Sequence, residues 1–306
     1  MSATALRQLL AGERAVPVPG VWDPVTATLA RDAGHAAAHL SGAVCSALEL
    51  GLPDLGYVHG THIAHRALGI APALAGVPLI ADADTGYGTA LHARWTAQRY
   101  AAAGIAGLHL EDQLSPKRCG HLAGKQLIGA AEATAKVAAV AEAGTGIVVI
   151  ARTDAYTVAG LAETIERCRA FADAGADALF PEGVTAPDEL AAISDAVGGR
   201  PLVVNASEAG SGLARGLIQT VADRPAHKGG SQDDSRLARL AKVGVRLVLQ
   251  PTAALLAALA AARTAYQALA ADGSADSVGR MAWADFTGLV GQTEALELDA
   301  AYGARA

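Results

Sequence analysis

The chain has 306 residues, 52% of them hydrophobic and only 4% aromatic, with 34 glycines and a formal charge of −6. Without a basic run, this balance argues against nucleic acid as a partner, and so apolar a chain is not disordered. Three cysteines, Cys45, Cys119 and Cys168, are too few and too odd in number for a disulfide framework, so a reducing cytoplasm is expected.

Residues 1–16 include Arg7, Glu13 and Arg14 and no long apolar run, so neither a signal peptide nor an anchor is expected there. Short apolar runs then recur at 16–21, 36–40, 78–81, 107–110, 147–151, 178–180, 202–204 and 246–249, and each reads as a strand. Between them lie Ala-rich helical patterns such as 91–103, 130–143, 161–174 and 187–197. Ala33-Gly34, Ala103-Gly104 and Ala174-Gly175 supply the glycine that suits a helix end before the next strand. Eight strand–helix repeats predict an α/β fold, a (β/α)8 TIM-type barrel. An open doubly wound sheet is the alternative, weakened because no Gly-x-Gly-x-x-Gly follows the first strand. The stretch 210–236 reads as a long functional loop, and 251–262 as a buried helix too short for a bilayer. We expect a catalytic barrel over 1–263. The remainder, 264–306, would be a helical extension whose Trp283 and Phe286 pack on a neighbouring subunit.

Barrel active sites sit at the C-terminal ends of the strands. Just past the predicted strands stand Trp22-Asp23, Ser41-Gly42, Asp82 and Asp84, Glu111-Asp112, Arg152 and Asp154, Glu182, Asn205 and Gln250. Asp82, Asp84 and Glu111 are hard oxygen ligands suited to Mg2+, with Mn2+ a possible substitute, although Asp84 could equally cap a helix. Arg152 can clamp a substrate carboxylate in bidentate fashion, or simply pair with Asp154. Glu182 could orient Arg152, contact substrate or cap a helix, and Asn205 and Ser207 can donate to a carboxylate or serve a turn. The run Lys117-Arg118-Cys119-Gly120-His121 places one thiol among two fixed cations and an imidazole, which favour the thiolate. On its own such a run is often a charged surface loop. His35, His39, His59, His62 and His65 show no metal-ligand spacing and read as ordinary packed or exposed residues, and Cys45 and Cys168 as small buried hydrophobes.

Several segments taken together resemble the isocitrate lyase/phosphoenolpyruvate mutase superfamily. They are Asp82-Ala83-Asp84-Thr85-Gly86-Tyr87-Gly88, Gly107-Leu108-His109-Leu110-Glu111-Asp112-Gln113, the Cys119 run, Arg152-Thr153-Asp154-Ala155 and Pro181-Glu182-Gly183. Leu40-Ser41-Gly42 and Leu52-Pro53-Asp54 also match, and the resemblance covers residues 16–260. It implies a Mg2+-dependent barrel acting on α-keto acids, or on 2-hydroxy acids cleaved to them. Ser41 and Gly42 would hold the keto-acid carboxylate, and Asp82 the metal, with Asp54, Asp84 and Glu111 acting through bound water. Cys119 would sit on a mobile loop as the proton donor of the lyase branch, its pKa set by Lys117, Arg118 and His121. The resemblance further implies a homotetramer whose C-terminal helices swap between subunits.

Two departures bear on the substrate. The family's lyases follow the last strand with Tyr-Pro and a carboxylate-binding arginine, whereas this chain has Gln250-Pro251 and no arginine in Thr252-Ala253-Ala254-Leu255. Asn205-Ala206-Ser207-Glu208 keeps the family pattern but precedes an inserted loop. The expected activity is cleavage of a 2-hydroxy di- or tricarboxylate of methylisocitrate or dimethylmalate type to an α-keto acid and a carboxylate. The alternatives are an oxaloacetate-type hydrolase or decarboxylase, a mutase-type C–P enzyme, and a silent barrel that binds or assembles.

Overall fold

The apolar runs form eight parallel strands in a computed structural model that describes residues 2–120, 122–206 and 235–303. They are β1 (Val16–Pro19), β2 (Ala38–Leu40), β3 (Leu79–Asp82), β4 (Gly107–Glu111), β5 (Val148–Thr153), β6 (Ala178–Pro181), β7 (Leu202–Asn205) and β8 (Val245–Gln250). Each strand pairs with its neighbour in sequence, and β1 pairs with β8 from Val16 opposite Leu247 to Pro19 opposite Gln250. A bridge from Gly20 to His39 and a Val21 N–H to His39 carbonyl bond of 2.9 Å join β1 to β2 and nearly close the ring. His121, Ser207 and most of the 210–236 loop lie outside the described residues.

Helices alternate with the strands: α1 (Ser2–Ala11), α2 (Pro24–Asp32), α3 (Gly42–Cys45), α4 (Gly60–Ala73), α5 (Ala90–Ala102), α6 (Ala130–Ala141), α7 (Ala155–Ala159), α8 (Leu161–Asp173), α9 (Pro187–Ala196) and α10 (Arg236–Lys242). The anticipated Ala-Gly stops are real. Ala33, Ala103 and Ala174 cap α2, α5 and α8, and each following glycine takes a positive φ between 83° and 96°. Asp23, counted among the strand-end polar groups, instead caps α2, its Oδ1 accepting the Thr26 N–H at 2.7 Å.

Two apolar layers follow from the strand period of two. Outward side chains such as Leu79, Leu108, Val149 and Leu179 meet the helices. Inward ones, Val18, Ile80, Ile150, Val203 and Leu247, fill the barrel. The barrel floor is α1, whose Leu6 and Leu10 join the inner cluster. Gly107 has no side chain because a Cβ there would lie 2.6 Å from Leu6 Cδ2. Arg7 fixes α1 from outside, donating to the Gly146 carbonyl at 2.8 Å and to Asp177 Oδ1 at 3.1 Å.

The chain divides into two compact units, 1–254 and 255–306. The expected short buried helix at 251–262 is corrected here. It is a 20-residue helix, α11 (Ala253–Asp272), followed by α12 (Trp283–Leu289) and α13 (Gln292–Gly303), and only Leu255 of α11 is buried. By length and composition α11 could even cross a membrane. An alanine-rich run presents similar apolar character on every side, so its sequence does not mark a buried face. Trp283 and Phe286 stack with centroids 5.5 Å apart but are 74% and 39% exposed within the single chain.

Leu6→Ala removes a side chain from a fully enclosed position, which costs about 2–5 kcal/mol. Urea unfolding of this variant should show a clearly lowered midpoint, whereas a wild-type midpoint would show that α1 is no part of the core.

Candidate active site

The strand ends enclose a cavity of about 140 Å3. Ser41, Asp54, Asp82, Lys117 and Cys119 line one side, and Arg152, Glu182, Asn205 and Thr252 the other. Asp84 and Glu111 lie buried behind this lining. Among the described residues, those anticipated as a site thus converge, with two exceptions. Gly42 donates its N–H to Asp82 Oδ2 at 3.1 Å rather than presenting it to a ligand. Arg118 is exposed and lines a neighbouring pocket with Gln113, Ser115 and Gly124, while its guanidinium reaches toward the Ala123 carbonyl.

Asp82 ends β3, and the chain then turns sharply through Asp84 (φ 42°), Gly86 (φ 80°) and Tyr87 (φ 59°). A left-handed backbone is tolerated by Asp but costly for Tyr, so the turn is strained and held from several sides. The Asp84 N–H donates to Asp82 Oδ1 at 3.0 Å, Tyr100 Oη donates to the Asp82 carbonyl at 2.7 Å, and Lys136 Nζ donates to the Thr85 carbonyl at 3.2 Å. Asp84 is no helix cap, since Thr89 begins α5.

Lys117 turns into the acidic cluster rather than toward the thiol. Its Nζ lies 2.5 Å from Asp54 Oδ1 and 3.1 Å from Asp84 Oδ1. Burial penalises its charge, yet Asp84, Glu111, Asp82 and Asp54 outweigh that and raise its pKa well above the ordinary value. One ammonium does not satisfy four carboxylates. Glu111 Oε1 is buried without a hydrogen-bond partner among the described residues, while Asp84 Oδ1 and Glu111 Oε2 have only their ion pairs, to Lys117 at 3.1 Å and to Arg152 at 3.3 Å. Burial pushes Asp84 up to about 7 and Glu111 well above the usual carboxylate range. Buried unpaired carboxylate oxygens are costly, and a hard divalent cation is the group that relieves them. Among the described residues, no three His, Cys, Asp or Glu side chains converge as direct ligands. The set therefore fits Mg2+, which takes one or two carboxylates and fills its remaining positions with water and substrate.

Arg152, on β5, faces three acids. It grips Asp154 with Nε to Oδ2 at 2.9 Å and Nη2 to Oδ1 at 3.1 Å. Its Nη1 lies 3.3 Å from Glu111 Oε2 and 3.9 Å from Glu182 Oε2, and its plane lies over Phe180 with Cζ 5.3 Å from the ring centre. The structural pairing and the cavity-lining position thus coexist. The thiol loop closes over this side. Cys119 is half-buried, and a Cβ on Gly120 would sit 2.6 Å from Arg152 Nη2. Cys45 and Cys168 are buried, and burial pushes both thiols up to about 12.

His39 is packed, as expected of an ordinary buried histidine, but it and His109 also line the cavity, Nε2 to Nε2 at 2.9 Å, with His109 Nδ1 3.5 Å from Asp82 Oδ1. The signal was strand periodicity. His39 stands two residues before Ser41, His109 two before Glu111 and Phe180 two before Glu182, on the same inward faces.

Burial lowers the pKa of His39 to about 3 and of His109 to about 4, with the His109 imidazole further disfavouring charge on His39 and the Arg152 and Lys117 cations on His109. Such a histidine takes up its proton only on unfolding, so the unfolded chain binds more protons below the ordinary value of 6.5. The stability is full above pH 6.5 and drains away as pH falls toward the folded-state values. His39→Gln should flatten that loss in urea titrations between pH 6.5 and 4, by up to about 1.4 kcal/mol per pH unit. An unchanged slope would mean that His39 titrates freely in the folded chain.

A parallel barrel with buried acids, a paired arginine and a thiol at its strand ends defines an enzyme of the (β/α)8 class. Residues 6–270 match the family described as phosphoenolpyruvate phosphomutase. The 2-methylisocitrate lyase of Bacillus subtilis (strain 168) is 41% identical over 208 residues, 68% of each chain. A solved 2,3-dimethylmalate lyase superposes with a TM-score of 0.84 at 34% identity, over 99% of this chain and 96% of that one. An oxaloacetate acetylhydrolase holding 3,3-difluorooxalacetate also reaches 0.84, at 32% identity over 99% and 97%. This chain belongs to the phosphoenolpyruvate mutase/isocitrate lyase superfamily.

Proposed function

We propose that the protein is a Mg2+-dependent carbon–carbon lyase that cleaves a 2-hydroxy dicarboxylate to an α-keto acid and a smaller carboxylate. One observation carries the reading: a half-buried thiol, a buried acidic cluster and a buried arginine line a single small cavity. Asp82, with Asp54, Asp84 and Glu111 through water, would hold the cation, whose charge would stabilise oxyanion character as the bond breaks. The Ser41 hydroxyl donates to the substrate's 2-hydroxy carboxylate end. Gly42 serves by holding Asp82 and by having no side chain, since a Cβ there would lie 2.9 Å from Asp82 Oδ2. Arg152 and Asn205 hold the departing carboxylate, with Glu182 steadying the guanidinium. The 2-hydroxyl gives its proton to water, the C–C electron pair passes to the carbon beside the departing carboxylate as the keto group forms, and Cys119 protonates that carbon and is reprotonated from water. Lys117 neutralises the acids beneath the substrate, and Phe180 walls off water. Arg118, which lines the neighbouring pocket, would act through the loop that carries the thiol, and His121 is proposed to help set the pKa of that thiol. Reduced Cys119 suits a cytoplasmic enzyme, and the exposed apolar side chains of 255–303 suit packing into a homotetramer.

The cations among the described cavity-lining residues are Lys117 and Arg152, and Lys117 is already committed to acids. The β8 end contributes Leu249, Pro251 and Thr252, none of them charged. A buried carboxylate without a cation costs several kcal/mol, so a second departing-side carboxylate finds no partner there. This favours dicarboxylates over 2-methylisocitrate or isocitrate. The same argument keeps hydrolysis of oxaloacetate as the second reading, since that diacid carries the same two carboxylates.

With Mg2+ present, Cys119→Ala should lower kcat by about 10²–10⁴-fold, the usual worth of a proton donor, with little change in thermal midpoint. Chelation by EDTA should abolish wild-type turnover and Mg2+ restore it. Near-normal kcat in Cys119→Ala would overturn the lyase assignment, as would full activity of metal-free enzyme.

A further inference from the structure

The loop between β4 and α6 that carries the thiol folds back on itself as two arms. Gln113 bridges Leu127 across it, and the Leu114 N–H donates to the Gln126 carbonyl at 2.7 Å. The Gln113 side chain clasps the Arg118 backbone, accepting its N–H and donating to its carbonyl, both at 2.9 Å. Next to the thiol, the Cys119 N–H donates to the Asp54 carbonyl at 3.2 Å and the Cys119 carbonyl accepts the Leu122 N–H at 2.8 Å, but none of these bonds ties the loop to the Arg152–Asp154 pair.

Lys125 makes that contact. Its side chain is 2% exposed and lies outside the cavity lining. Nζ donates to the Gly120 carbonyl at 2.7 Å and to Asp154 Oδ1 at 2.8 Å. That same Oδ1 accepts from Arg152 Nη2. A single buried ammonium therefore ties the carbonyl of the residue after the thiol to the carboxylate that aims the guanidinium. Gly120 completes the fit, because any side chain there would strike Arg152. A buried ammonium held only for charge balance would need Asp154 alone, whereas the second bond, to a loop carbonyl, fixes a position.

Resting on the roles given above to Cys119 and Arg152, we propose that Lys125 is a positioning residue that sets the proton donor against the carboxylate clamp. Thiol and guanidinium come from different segments, and the Lys125 brace couples the loop directly to the carboxylate that holds the guanidinium. A misplacement of about 1 Å can cost on the order of 10²-fold in rate. Lys125 touches no substrate, so its loss should fall on kcat more than on KM.

The test compares Lys125→Met and Lys125→Arg with the wild-type enzyme in three readouts: kcat, KM, and the rate at which iodoacetamide alkylates Cys119. Cys45 and Cys168 are buried and serve as internal silent thiols. Lys125→Met should lose about 10²-fold in kcat with KM within about threefold, and its Cys119 alkylation rate should change severalfold. Lys125→Arg, which keeps a charge able to reach both acceptors, should recover at least a tenth of the wild-type kcat and near-normal alkylation. The proposal is overturned if Lys125→Met keeps wild-type kcat, if it loses kcat while the alkylation rate stays fixed, or if Lys125→Arg is no better than Lys125→Met. Should Lys125→Met not fold, Lys125→Gln, which keeps a donor without the charge, is read by the same three criteria. Alkylation does not depend on turnover. An active Cys119→Ala enzyme would therefore refute the lyase reading, while the alkylation rate would still judge the brace.

Discussion

The site depends on one buried guanidinium. Arg152 is buried apart from the edge it presents to the cavity, and a charge so placed is tolerated only where partners replace its hydration. Asp154 supplies two of its bonds in fork geometry, Glu111 and Glu182 stand beyond, and Phe180 covers its face. Each partner then needs its own support. Asp112 accepts the Asp154 N–H at 3.0 Å and the Thr153 hydroxyl at 2.6 Å, and Arg167 reaches Asp112 Oδ2 at 3.1 Å. Lys125 carries the same network into the thiol loop. Charges that would be costly one by one are stable as a lattice spanning β4, β5 and the loop above them.

Negative charge still exceeds positive in this lattice. Lys117 and Arg152 face Asp54, Asp82, Asp84, Glu111, Asp154 and Glu182, with Lys125 helping only at Asp154. The surplus is concentrated at Asp84 and Glu111, where Glu111 Oε1 lacks a hydrogen-bond partner among the described residues and the single cations at Asp84 Oδ1 and Glu111 Oε2 are shared with other acids. The strained turn after Asp82 keeps these groups together, because the Tyr100 and Lys136 bonds lock it against relaxing outward. The fold thus stores an electrostatic vacancy of one sign at one place.

Much of this was legible in the sequence because strands and their ends are local. All eight strands occur where the apolar runs placed them, since a parallel strand buried on both faces needs a continuous apolar segment. The segments around Asp82, Glu111, Cys119 and Arg152 meet because a barrel gathers its strand ends. What the sequence hid was direction and reach. Lys117 stands next to the thiol in the chain but spends its ammonium on Asp54 and Asp84. Arg118 points into a different pocket, and Gly42 turns its N–H onto Asp82. His39 looked like a lone histidine on an apolar strand, and its partner lies 70 residues away. Lys125 carried no motif of its own. The length of α11 was missed because alanine-rich sequence has no apolar face to count.

In the proposed reaction the acidic cluster with its cation, the thiol and the cavity-lining Arg152 cleave a carbon–carbon bond in a small 2-hydroxy diacid. The most direct measurement is product analysis by NMR, with purified enzyme and Mg2+ incubated in parallel with 2,3-dimethylmalate, 2-methylisocitrate and oxaloacetate. The account predicts release of an α-keto acid and a carboxylate from the 2-hydroxy diacid, at a kcat/KM above that for 2-methylisocitrate. Conversion of oxaloacetate to oxalate, with no keto acid released from either 2-hydroxy acid, would contradict it.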